Sequence, residues 1–135
     1  MKKTIQLLIY LALVATLNAS PGTDGLIKRM APDHAKKFKT APLANTAPEQ
    51  ESFRISSTDD GKILLEGSTP SAEAAAFGWY VKHIAKGHFS WSGDRLPQIL
   101  PMPKEPITIA APYRYRYAHN YCALSYSAAF WDWKR

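Results

Sequence analysis

FRISSTDDGKILLEGSTPSAEAAAFGWYVKHIAKG, residues 53–87, reads as two strands, the turn between them and the helix that follows. Phe53-Arg54-Ile55-Ser56 and Lys62-Ile63-Leu64-Leu65-Glu66 are rich in residues that suit a pleated, half-buried surface. Between them lies Thr58-Asp59-Asp60-Gly61, and Asp-Gly supplies the positive-φ chemistry of a hairpin turn. After Gly67, Thr69 is placed to cap a helix with Pro70 at its first position. The alanines of residues 72–76 carry the highest helix propensity, and Gly87 is a natural C-terminal cap. Ala72, Ala76, Trp79, Tyr80, His83 and Ile84 recur at helical spacing as one stripe suited to lie on a sheet. His83 in that stripe reads as an interface histidine rather than a ligand or a base. Residues 88–93, HFSWSG, are expected to form a short return strand. The fold class is therefore α+β, a small antiparallel sheet packed on a helix.

Upstream, the pattern is thinner. Leu26, Ile27 and Met30 predict a short helix over residues 25–30, stopped by Pro32. The basic cluster Lys36, Lys37 and Lys39 reads as a solvated face, with Phe38 anchoring a short first strand. APLANTAPEQE, residues 41–51, is an exposed connection by its Ala and Pro content. The first 20 residues have the form of a secretory signal peptide: Lys2 and Lys3, an apolar run over residues 5–14 broken by Gln6, then small or polar residues. Cleavage is expected near Ala19 or Ser20. The run is too short for a span of roughly 20 apolar residues, and it contains no cysteine for a lipid anchor. An exported chain, periplasmic or extracellular and without a stable membrane anchor, is the expectation.

Composition narrows the classes further. With 135 residues, 46% hydrophobic and 21% charged, the chain has material for one modest core. Removing Lys2 and Lys3 takes the formal charge from +6 to +4, a mild excess that argues against a nucleic-acid partner. The single cysteine, Cys122, excludes an intramolecular disulfide and reads as a core residue, a pocket residue or a reactive thiol. Nothing in the pattern calls for a metal or a cofactor.

Downstream, Pro97, Pro101, Pro103 and Pro106 stiffen residues 94–111 into an extended connection that cannot pair as a central strand. Beyond it, residues 113–135 carry eight aromatic residues. Tyr113, Tyr115 and Tyr117 alternate with Arg114, Arg116 and Ala118, which predicts a strand over residues 113–120. Residues 127–133 then have the look of an opening helical turn. A strand running into a helix suggests an isolated first βα segment of a βα-repeat domain. The expected organisation is a signal peptide over 1–20, an accessory α+β domain over 21–96, a Pro-rich linker over 97–112 and an unfinished unit over 113–135.

Two blocks carry a family resemblance. GSTPSAEAAAFGWYVKHIAKGHFSWSGDRLP, followed by APYRYRYAHNYCALSYSAAFWDW, resembles the N-terminal domain and first barrel strand of the α-N-acetylglucosaminidases, glycoside hydrolase family 89. More loosely, the likeness extends to GLIKRMAPDHAKKF and FRISSTDDGKILLEG. It implies an exo-acting, retaining hydrolase of terminal α-linked N-acetylglucosamine glycans, with its chemistry in a (β/α)8 barrel and no cofactor. On that likeness residues 113–120 would be the first barrel strand, and Asn120 and Cys122 would belong to the substrate pocket at its C-terminal end. An Asn amide can exchange hydrogen bonds with sugar hydroxyls, and a small thiol can line the floor beneath a ring. Retaining hydrolysis needs two carboxyl groups about 5–5.5 Å apart, and the family's two glutamates would fall beyond Arg135. No catalytic residue is therefore expected in this chain, which reads as a truncated, inactive fragment, with Asp132 as a cap or a surface charge. The other class left open is an exported module that binds carbohydrate or protein through the aromatic face of Tyr113, Tyr115 and Tyr117. Binding of a polyanion through Arg114, Arg116 and the lysine cluster is a weaker alternative.

Overall fold

The computed structural model describes residues 20–44 and 50–116. Its elements are helix α1 (Pro21–Met30), a 3-10 turn (Pro32–Lys37), strand β1 (Phe38–Pro42), β2 (Ser52–Ser57), β3 (Ile63–Gly67), helix α2 (Pro70–Trp79) with a π-helical turn (Tyr80–Ile84), and β4 (Ile107–Ala110). The four strands lie in the order β1-β3-β2-β4.

The hairpin forms as its residues dictate. Ile55 stands opposite Leu65 in the β2–β3 pairing, and Gly61 takes the positive φ of 73° that the turn requires. Thr58 closes the turn, its backbone N–H donating to the Lys62 carbonyl and its hydroxyl accepting from the Lys62 N–H. Lys62 and the Thr58 hydroxyl hold the Asp60 carboxyl down at about 2. The sheet is mixed rather than wholly antiparallel, because β1 runs parallel to β3 with Phe38 opposite Ile63.

Both helices cover one face of this sheet. Thr69 caps α2 by accepting from the Ala72 N–H at 3.1 Å, with Pro70 in the first turn. Phe53, Ile55, Ile63 and Leu65 meet Ala72, Ala76, Phe77, Tyr80 and Val81 in a core that also takes Ile27, Ala31 and Phe38. Phe38 receives Phe77 and Tyr80 edge-on at 5.2 and 5.4 Å. Burying each large apolar side chain contributes about 1.5–3 kcal/mol, so this aromatic knot ties β1 to the helix beside the wider contact made by Ile55, Ile63 and Leu65. Gly67 lets β3 run close under α2: a Cβ there would lie 2.3 Å from the Glu73 backbone nitrogen.

Several expectations are corrected. The first helix starts at Pro21, four residues earlier than expected, because the buried Thr23 hydroxyl donates to the Pro70 carbonyl and holds the first turn against α2. The buried stripe of α2 is rotated from the expected one: Phe77 and Val81 are inside, Trp79 is half-buried and His83 is exposed, stacked on Trp79 at 4.6 Å. Tertiary packing of Phe38 against Phe77 selects that face. The left-handed residue after α2 is Lys86 (φ 54°), while Gly87 is required by space, since a Cβ would meet the Arg95 carbonyl oxygen at 2.5 Å. Residues 88–93 form no strand. A single bridge joins His88 to Arg95, and Asp94 accepts from the Ser90 N–H to close the loop. Finally, the stretch expected to be a linker supplies β4, paired antiparallel with β2 at the sheet edge. Pro106 and Pro112 bracket a strand short enough to need no proline N–H. Among the described residues, 113–116 pair with no strand, and the rest of the expected barrel strand lies outside the described residues. The lysine cluster is solvated as expected.

Candidate functional site

Two grooves flank the sheet. On the face away from the helices, alternation turns Arg54 and Glu66 outward, side by side across β2 and β3. Their pairing is bidentate, with Nε to Oε2 at 2.6 Å and Nη2 to Oε1 at 2.7 Å, and Glu66 raises the Arg54 pKa above its ordinary value. A groove of about 580 Å³ opens here, lined also by Pro42, Leu43, Gln50, Ser52 and Thr108. Glu66 is neutralised by Arg54, so the site can hold a polar ligand but offers no free base.

The second groove, about 440 Å³, runs between α2 and the edge strand β4. Phe53, Ala72, Ala75, Ile109 and Pro112 make it largely apolar. Glu51 sits at its rim, where it accepts from the Thr69 hydroxyl at 2.7 Å and pairs with Arg116. The helix cap, the β2 approach and the departing chain are thus tied at one carboxylate.

A third carboxylate is enclosed. Glu73 is 3% exposed, and among the described residues its Oε2 accepts no hydrogen bond. Burial raises its pKa, and nearby Asp24 adds to the rise, while the Thr23 hydroxyl, whose one proton Glu73 shares with the Pro70 carbonyl, and the Ser20 backbone oppose it. Asp24 itself accepts from the Thr40 hydroxyl at 2.8 Å. These two acids lie in the α1–α2–β1 junction rather than across either groove. Among the described residues no cluster of three or more His, Cys, Asp or Glu side chains could hold a metal, and no helix is long and apolar enough to cross a membrane.

The residues expected in a substrate pocket, Asn120 and Cys122, lie outside the described residues, as do Tyr117 and Asp132. Tyr113 and Tyr115 are described and are 71% and 80% exposed, with the Arg114 guanidinium 5.3 Å from the Tyr115 ring centroid. Sequence reasoning passed over Glu73 because a glutamate in an alanine-rich helix reads as solvent-facing. Its one available signal is spacing, four residues before the buried Phe77.

Residues 21–104 match the family described as the alpha-N-acetylglucosaminidase (NAGLU) N-terminal domain. The alpha-N-acetylglucosaminidase of Homo sapiens is 37% identical over 90 residues, which cover 65% of this chain and 12% of the human protein. The fold is similar to that of the family 89 glycoside hydrolase from Clostridium perfringens, solved in complex with PUGNAc and, as a variant, with its substrate GlcNAc-alpha-1,4-galactose. In each case the TM-score is 0.72 at 28% identity, covering 83% of this chain and 13% of that chain. The chain thus spans 12–13% of the length of these relatives.

Proposed function

Because this chain belongs to the α-N-acetylglucosaminidase N-terminal domain family, we propose that it is the non-catalytic N-terminal region of an exported, exo-acting, retaining α-N-acetylglucosaminidase. The observation that carries the reading is the family match over residues 21–104, which includes both helices and the first three strands. Its substrate class is glycans ending in α-linked N-acetylglucosamine, bound by a catalytic barrel rather than by this layer. The geometry of the layer supports that division of labour. A retaining hydrolase needs a nucleophile and an acid/base carboxyl facing one another across the sugar. Here Glu66 is neutralised by Arg54 and Glu51 by Arg116, each at its own groove. In this reading Asn120 and Cys122 contribute to the barrel's substrate pocket, as a hydrogen-bonding amide and an apolar floor.

The purified chain is incubated with an aryl α-N-acetylglucosaminide, and no turnover is expected; measurable hydrolysis would overturn the non-catalytic assignment. A second reading, glycan stacking on this chain itself, is favoured by the exposure of Tyr113 and Tyr115. Saturable fluorescence changes with N-acetylglucosamine-terminated oligosaccharides, lost in Tyr115→Ala, would establish it.

A further inference from the structure

Glu73 is buried with one carboxylate oxygen unpartnered among the described residues, where the first turn of the ten-residue α1 is tied to the first turn of α2 by Thr23 and Pro70. The α1 turn begins at Ser20, its N-cap. The Ser20 side chain makes no capping bond, and its backbone N–H donates to the Glu73 carboxyl. The charged groups around Glu73 supply no cation. Asp24 on α1 is a second acid; Lys28 lines a small pocket beside Asp24 and the Arg29 guanidinium folds back over Gly25, but neither acts on the Glu73 carboxyl. Thr40 on β1 is neutral, Glu66 on β3 is engaged with Arg54, and Lys82 beyond α2 is exposed. A buried carboxyl beside a second carboxyl disfavours ionisation unless a positive charge adjoins it.

We propose that Ser20 is the first residue of the mature protein and that its α-ammonium group is the cation Glu73 and Asp24 are arranged to receive. The inference rests on the reading of this chain as exported. Hydrolysis of the Ala19–Ser20 amide consumes one water, leaves a carboxylate on Ala19, and frees a Ser20 nitrogen that takes up a proton. One neutral N–H donor becomes three charged ones, enough to satisfy both Glu73 oxygens and still meet solvent, to which Ser20 is partly open. Removal of the leader therefore strengthens the seating of α1 on α2.

The experiment uses the chain from Ser20 to Arg135, released from a cleavable tag with a free α-amine or blocked by Nα-acetylation, each with Glu73 and with Glu73→Gln. NMR titration should place the α-amine about one unit or more above its ordinary value near 8. At pH 6 the free-amine chain should unfold at a higher urea midpoint than the acetylated chain, and Glu73→Gln should abolish the difference. An ordinary amine pKa together with equal midpoints would overturn the docking. Should Glu73→Gln not fold, the titration and the acetylation difference in the unsubstituted chain still decide. Separately, N-terminal sequencing of the chain exported with its own leader should begin at Ser20. Retention of the leader, or a different first residue, defeats the processing half while the tag-released chains still judge the contact.

Discussion

Replacing Tyr80 by Phe isolates one hydrogen bond. The Tyr80 ring is fully buried, and its hydroxyl donates to the Pro101 carbonyl at 2.9 Å. This bond anchors the proline-rich stretch to the end of α2 before the chain reaches β4. A net protein hydrogen bond contributes about 0.5–1.5 kcal/mol, and more when a buried partner is stranded. Pro101 is exposed, so water can re-satisfy its carbonyl and the cost should sit near 1 kcal/mol. For a domain of this size that lowers Tm by roughly 4–8 °C. Tyr80→Ala should cost more, about 3–5 kcal/mol, because it also removes the ring that meets Phe38 edge-on. Urea unfolding followed by tryptophan fluorescence gives both values, and an alkaline titration should show Tyr80 ionising above the usual tyrosine range, since burial raises its pKa. Equal stability of Tyr80→Phe and the parent would show that proline stiffness alone positions the stretch. A Tyr80→Ala loss under about 1 kcal/mol would refute the aromatic knot as a tie between β1 and the helix.

Gly67→Ala should destabilise by roughly 1–3 kcal/mol or prevent folding, since the new methyl meets the backbone of Glu73 and Thr69, which cannot swing aside; wild-type stability in thermal melts would contradict that close approach. Thr69→Ala should cost about 0.5–2 kcal/mol through the lost cap and should also release Glu51, read as faster amide exchange at Ala72; unchanged exchange there would count against the cap. The Nα-acetylated chain should be more stable at pH 4 than at pH 7. Glu73 has a raised pKa when folded, so its contribution is fully present below the unfolded value and is lost as pH rises through the folded one. Asp60, lowered from 3.8 to about 2, has its contribution in full above the unfolded value and loses it as pH falls from there toward 2, so it only slightly offsets the gain at pH 4. Absence of the gain, or its survival in Glu73→Gln, would refute the assignment to Glu73.

What could be read from the residues was local. Asp60-Gly61 specified the hairpin and Thr69-Pro70 the start of α2, because each signal is satisfied by neighbours in sequence, whereas Phe38 marked the first strand only by its apolar character amid lysines. The parallel pairing of β1 with β3 depends on contacts between residues 25 apart, such as Phe38 and Ile63, and no local pattern encodes it. β4 was hidden by the prolines around Ile107-Thr108-Ile109-Ala110, which mark an edge strand as readily as a connection. The rotation of α2 was hidden because Trp79 and Phe77 are both apolar and only packing against Phe38 chooses between them. At the candidate sites, the outward alternation of Arg54 and Glu66 follows from the hairpin register, whereas the burial of Glu73 follows from α1 docking.

Sheet order also sets a sequence of events on the ribosome. The pairs β1–β3 and β2–β3 and the helix above them use residues up to 84, but β2 waits for β4 until Ala110 has been made. At synthesis rates of about 5–20 residues per second that wait lasts on the order of one to five seconds. Throughout it, one edge of β2 and the Phe53 side of the core lack their final cover. A nascent chain whose first 85 residues have cleared the exit tunnel should therefore already protect the β2–β3 hairpin from protease yet bind a hydrophobic-surface dye, and emergence of residue 110 should remove the dye binding. Protection of the hairpin that begins only after β4 emerges would show instead that the layer assembles as a single unit.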